Sequence, residues 1–280
     1  MNHDQTSVPL ADLMRFSRAA PFWISLLLVP IAWVGAVYGG WTVVLLPIVT
    51  WYLFSVLDTV FGHDTSNADP DTPEQNLFWY RAITLIWAPV QFCLLFSLLW
   101  YVPQADHLGT LERVVLFFGV GVITGTVGIN YSHELMHQRN RTERWMADIL
   151  LAMVLYSHFR SEHLLVHHRY VGTFHRFYPR VLRQSLHSAF SAEKKMLERR
   201  DLPWHDLSNP FFRYWGLQLL MLVLAFGIGG WSGLALFLVQ AGTAIWQLEL
   251  VNYIEHYGLT RKHLGDGKYE HVKPQHSWNA

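Results

Sequence analysis

Apolar residues in this chain come in blocks rather than in stripes. Six stretches, near 20–38, 41–61, 81–102, 111–130, 211–228 and 231–253, are almost continuously hydrophobic. At 1.5 Å per residue each is about long enough to cross a bilayer core of roughly 30 Å. Gly39-Gly40 separates the first two blocks and Gly229-Gly230 the last two, so each pair is predicted to form a tight antiparallel hairpin. Gly119, Gly121, Gly125 and Gly128 recur along the fourth block, which suits close helix packing in lipid. After that block the pattern changes. Trp145, Ile149, Leu150, Met153 and Val154 recur at helical spacing beside Arg144 and Asp148. They predict a helix packed under the bundle or lying in the interface. Residues 182–200 read as a second amphipathic helix with its basic face to water, and 62–76, rich in Asp, Pro and Asn, as a polar loop. The predicted fold is all-α and integral to a membrane: one domain over 1–280, with six transmembrane helices. A cytoplasmic helical cap is expected from 131–210 and 254–280.

Composition agrees. The chain is 51% hydrophobic and only 15% charged, against about 25% charged in soluble domains. A net charge of +0 gives no reason to expect nucleic acid as a partner. Cys93 is the only cysteine, which excludes an intramolecular disulfide and a cysteine metal cluster. Residues 1–6 lack a signal peptide's basic start and apolar core, so the first span is expected to be retained. Lys and Arg concentrate between Arg139 and Arg200 and again at Arg261, Lys262, Lys268 and Lys273, while the opposite side offers Arg113. The positive-inside rule therefore places both termini and the long polar segment in the cytoplasm.

Histidine supplies the candidate chemistry. His163, His167 and His168 lie within Glu-His-Leu-Leu-Val-His-His, and His133 and His137 within His-Glu-Leu-Met-His just after the fourth span. On a helix, residues four apart stack about 5–6 Å apart at Cβ, so each pair can aim two nitrogens at one metal. This supply of imidazole fits two metals better than one. His256, where the sixth span returns to the same side, is expected to close the site, although an isolated histidine at a helix end is usually structural. Glu134, Glu162 and Glu255 each adjoin a candidate ligand and are expected to orient it through its second N–H; the competing reading is a solvated carboxylate. His276 is a further candidate near the site. Asp58 is an ionisable residue near the membrane face without an evident partner. His158, His175, His187, His205, His263 and His271 are expected to be surface or locally hydrogen-bonded. Two rival classes stay open on these residues. His133-Glu134-x-x-His137 also satisfies the pattern of a zinc metalloprotease with Glu134 as general base, which needs one more ligand and an open position. A metal transporter would instead place ionisable groups at the bilayer midplane, and spans three to six carry almost none.

The two histidine segments, together with Asn252-Tyr-Ile-Glu-His-Tyr-Gly-Leu-Thr-Arg261 and the later His276-Ser-Trp-Asn279, resemble bacterial membrane alkane 1-monooxygenases. These belong to the wider fatty acid desaturase and hydroxylase group, whose members share the first two segments. The Asn-Tyr-x-Glu-His-Tyr-Gly-Leu segment is specific to the alkane branch and its xylene-type relatives. The resemblance implies two non-haem iron ions held by His133, His137, His163, His167, His168 and His256. It implies O₂-dependent terminal hydroxylation of medium-chain n-alkanes in the bacterial inner membrane, with rubredoxin or a ferredoxin as electron donor; an acidic donor would dock on the basic surface around 176–200. The alkane would enter from the lipid, and Trp51, Phe54 and Leu57 on the second span are candidate channel walls, with ordinary helix packing as the alternative. Family members carry a polar stretch after the segment matching His168–Thr173, and a third box, His-x-x-His-His, soon after His-Ser-Trp. The resemblance thus implies further native residues after Thr173 and after Ala280, and a chain without them is expected to fall short of two irons.

Overall fold

The computed structural model describes residues 7–53, 55–56, 59, 77–167, 178–256, 261–265 and 268–270. Among them the chain is almost entirely helical, with a two-stranded antiparallel ribbon, β1 (His263–Gly265) and β2 (Lys268–Tyr269). Four helical stretches, Arg15–Tyr38, Phe78–Gln104, Thr110–Met136 and Pro210–Ile254, are long and apolar enough to cross a membrane.

The first stretch joins α1 (Ser7–Trp23) to α2 (Leu28–Tyr38) through one 3₁₀ turn. The chain then reverses at Gly39 and Gly40, both at positive φ (61° and 58°), which only glycine adopts cheaply. Glu112 fastens this reversal. Its carboxylate accepts hydrogen bonds from the Gly40 N–H at 2.5 Å and the Gly109 N–H at 2.6 Å, and so caps α5 (Thr110–Ile123) as well. The second apolar block differs from the regular helix its composition predicts. It begins as a 3₁₀ turn (Gly40–Val44), passes through α3 (Leu45–Ile48) and widens into a π-turn (Val49–Leu53). Pro47 lies in the first turn of α3, where its missing N–H is not needed.

α4 (Phe78–Tyr101) and α5 contribute the large side chains at the centre of the core, with Trp87, Leu95, Leu98, Leu99, Phe117 and Ile123 fully buried. α5 continues through a π-turn (Thr124–Ile129) into α6 (Asn130–Met136). It packs along the last helix, α10 (Pro210–His256), at very short range. A Cβ on Gly121 would lie 2.4 Å from Thr243 Cβ and 2.6 Å from the Gln240 carbonyl oxygen. α10 is broken at Gly230, with φ 59° and ψ −152°, so the two apolar blocks on either side of it are separate helical runs.

The amphipathic segments form a further layer of helices packed on the bundle, the cap, a term that implies no side of the membrane. α7 (Arg141–Met153) starts at Asn140, whose side chain accepts the Thr142 N–H at 2.9 Å, a standard way to satisfy a free helix-start donor. It buries Ala147, Leu150, Leu151 and Met153 against the bundle. A short turn, α8 (Phe159–Glu162), leads into a π-turn over His163–His167. α9 (Tyr178–Glu198) lays Ala189 against Phe211 and Tyr214 at the start of α10. Arg81 at the start of α4 reaches Glu143 of α7 with two hydrogen bonds of 2.9 Å. Glu143 is 1% exposed, so this paired charge ties the cap to the membrane helices.

Candidate metal centre

α6 ends the third long apolar stretch; it carries His133, and His137 is the residue that caps it. Ser132 holds this end in place by donating to the Ala147 carbonyl of α7 at 3.1 Å. From the cap, α8 delivers His163 to the same point. The ring nitrogens of His133, His137 and His163 all come within 4.8 Å of one another. His133 Nε2 and His163 Nε2 are 2.8 Å apart, and the rings meet edge-on with centroids 4.5 Å apart. Two nitrogens each about 2.1 Å from a common ion lie about 3 Å apart at a right angle and about 3.4 Å apart at the tetrahedral angle, so shared coordination needs only a small separation of the two rings. The three differ in access: His163 is buried, His133 half-buried and His137 exposed.

The other nitrogen of His133, Nδ1, lies 3.2 Å from Glu134 Oε1. A carboxylate in that position fixes the tautomer and leaves Nε2 free to bind metal. The same contact argues against the zinc protease reading. There Glu134 would face a metal-bound water as general base, whereas here it turns to its own neighbour, and the third nitrogen comes from the cap. His163 is held from behind by Phe159, whose ring lies 5.3 Å from it and 5.9 Å from Tyr156.

The winding around His163 differs from the sequence expectation. Spacing alone put His163 and His167 on one α-helical face. Residues 163–167 form a π-turn instead, with wider i to i+5 closure. The imidazoles that His163 meets, His133 and His137, come from α6 and its C-terminal end. Of His167 and His256 only the backbone is described, as for Glu255, and His168, His276, Phe54, Leu57 and Asp58 lie outside the described residues, together with 168–177 and 271–280. Glu162 is half-buried at the end of α8, next to His163. Trp51 donates its indole N–H to Gln247 Oε1 at 3.3 Å and meets Phe118 edge-on at 5.9 Å.

Sequence reasoning missed a polar network behind the ligands. Tyr156 donates to Glu249 Oε1 at 2.6 Å and lies 3.1 Å from Ser185 Oγ, which is 3.0 Å from His158 Nε2. Burial, reinforced by the Glu249 charge, pushes the Tyr156 phenol well above its ordinary pKa, so it keeps the proton it donates. Burial lowers His158 from 6.5 to about 4. Glu249 is a buried carboxylate inside a block that reads as apolar, and its isolation there is the one signal that a sequence reader had.

The sequence matches the fatty acid desaturase family over residues 110–280. It is 32% identical over 257 residues to an alkane 1-monooxygenase of Pseudomonas putida, covering 86% of this chain and 63% of that protein. Identity is 31% over 253 residues to alkane 1-monooxygenase 2 of Alcanivorax borkumensis, covering 82% and 66%. A xylene/toluene monooxygenase hydroxylase component of Pseudomonas putida is 26% identical over 265 residues, covering 88% and 68%. The chain spans just under two thirds of the length of the alkane monooxygenases that it matches.

Proposed function

The chain belongs to the fatty acid desaturase family, and from that premise we propose that it is the core of an O₂-dependent alkane hydroxylase of the membrane. The reaction is RCH₃ + O₂ + 2e⁻ + 2H⁺ → RCH₂OH + H₂O, acting on the terminal methyl of medium-chain n-alkanes. The observation that carries this reading is the convergence of His133, His137 and His163 at the end of a membrane-length helix, in a chain similar to alkane 1-monooxygenases.

Two non-haem irons bound here would supply reductive activation of O₂. Neutral imidazoles with open positions suit that chemistry. His133, His137 and His163 would hold metal directly, and His167, His168 and His256 would complete the set. Glu134 keeps His133 in the tautomer that offers Nε2; Glu162, Glu255 and His276 are proposed for similar supporting roles. Trp51, with Phe54 and Leu57, would wall a path for the alkane from the lipid. The indole is held by Gln247 and Phe118, so its ring has a fixed face to offer. The proposed arrangement is six spans in a single domain, with both termini and the cap on the cytoplasmic side of the bacterial inner membrane; the break at Gly230 and the placement of Lys and Arg support it. Exposed Arg183, Lys194, Lys195, Arg199 and Arg200 give an acidic electron donor such as rubredoxin, or a ferredoxin, a surface to approach.

The test is an octane and dodecane assay of the full-length membrane protein, loaded with iron and supplied with reduced rubredoxin. The 1-alkanol is expected as product. Iron-loaded protein that gives no terminal alcohol would sink the proposal, and benzylic oxidation of xylene in its place would move the substrate to the xylene-type branch.

A further inference from the structure

A closed ring of polar contacts surrounds the turn that delivers His163. Two adjacent residues of α8, Arg160 and Ser161, face two adjacent residues of α10, Arg213 and Tyr214. Asp148 of α7 bridges one side: Arg160 Nη1 donates to Asp148 Oδ1 at 2.6 Å, and Arg213 Nε lies 3.0 Å from Asp148 Oδ2 as an ion pair without hydrogen-bond alignment. The other side closes directly, with Tyr214 OH 3.0 Å from Ser161 Oγ. Ser161 gives its own proton to Glu193 Oε1 of α9 at 2.5 Å, so the Tyr214 hydroxyl is left to donate to it. Asp148, Ser161 and Tyr214 are 1–2% exposed. Polar groups this deep keep their positions, because any shift leaves a desolvated donor or charge without a partner.

Two points of attachment on each of two helices fix both the rotation and the height of α8 against α10. His163 is two residues beyond Ser161. We propose that this ring is the positioning device for His163, and that Ser161 is a positioning residue of the metal centre. It touches neither metal nor substrate; it sets where His163 meets His133 and His137. This inference rests on the reading of those three histidines as metal ligands.

The test uses the full-length protein in detergent, stripped of metal and titrated with Co²⁺, whose visible spectrum reports ligand geometry. Ser161→Ala and Tyr214→Phe both open the same link. Each is expected to weaken Co²⁺ binding about 10- to 100-fold, the usual effect of losing a partner that supports a metal ligand, and to change the spectrum. The double variant should be no weaker than Ser161→Ala, because the link between Ser161 and Tyr214 can be lost only once. Glu193→Gln keeps an acceptor for Ser161 and should retain the wild-type spectrum. Thr42→Val, which removes a hydrogen bond to the Gly39 carbonyl in the distant reversal, should lower the melting temperature and leave the spectrum alone. Wild-type spectrum and affinity in either Ser161→Ala or Tyr214→Phe would overturn the positioning role while leaving the metal centre intact. Failure of the wild-type protein to bind Co²⁺ would overturn the metal reading and this inference together.

Discussion

His158 shows how one half-buried side chain can make the cap sensitive to pH. Its Nε2 meets Ser185 Oγ at 3.0 Å, and burial holds its pKa at about 4 against an ordinary 6.5. A base with a depressed folded-state pKa is protonated first in the unfolded chain. The stability it contributes is therefore intact above pH 6.5, falls as the pH drops from 6.5 to 4, and is gone below that; the full loss is on the order of 3 kcal/mol. The melting temperature is expected to drop between pH 7.5 and 5, and less steeply in His158→Gln. Equal slopes in the two proteins would show that other groups carry the acid response. Residues of this kind were only partly legible. The spacing of His133 and His137, and the carboxylate beside His133, stand out in the sequence because imidazoles are rarely so dense. Asp148, Ser161 and Tyr214 do not stand out. Each is an ordinary polar residue whose partners lie 12 to 65 positions away, and no local pattern signals such a pairing.

Helix packing adds a constraint at the scale of elements that the glycine spacing anticipates. Gly121 lets the backbones of α5 and α10 approach until the Gln240 carbonyl and Thr243 fill the space of a Cβ. Gly121→Ala should force the two helices apart and cost about 1–3 kcal/mol, the usual range for overpacking a filled interface. Gly242 is the natural control, since a Cβ there meets nothing within 4 Å. Gly242→Ala should be neutral or stabilise by about 0.5–1 kcal/mol, the ordinary gain for removing a glycine from a helix. Melting temperatures of the two variants in the same detergent check this, and equal shifts would show that the close approach at Gly121 carries no weight. The apolar blocks announced most of the helices, including the reversal at Gly39-Gly40 and the break at Gly230. They did not announce the π-turns at 49–53, 124–129 and 163–167. Those depend on how one helix must rotate to satisfy its neighbours, and hydropathy is blind to rotation.

At the scale of the whole molecule, the proposed six-span arrangement puts the histidine-bearing ends and the basic cap on one side of the membrane. In a Cys93→Ser background, Arg199→Cys should react with a membrane-impermeant maleimide in inverted vesicles and stay unlabelled in spheroplasts. Trp41→Cys, at the exposed Gly-Gly reversal, should show the opposite pattern. Labelling of both from the same side would refute the topology. The sequence by itself determined the membrane class, the helical blocks and the two histidine motifs, because burial in lipid and metal coordination each restrict residue type at fixed spacing. Only the tertiary structure decided that His163 from the cap meets His133 and His137 from a membrane helix. It also decided that a ring of buried polar contacts stands behind His163. Such meetings depend on how separate elements are turned against one another, and side-chain packing and hydrogen bonding fix that only once the chain is folded.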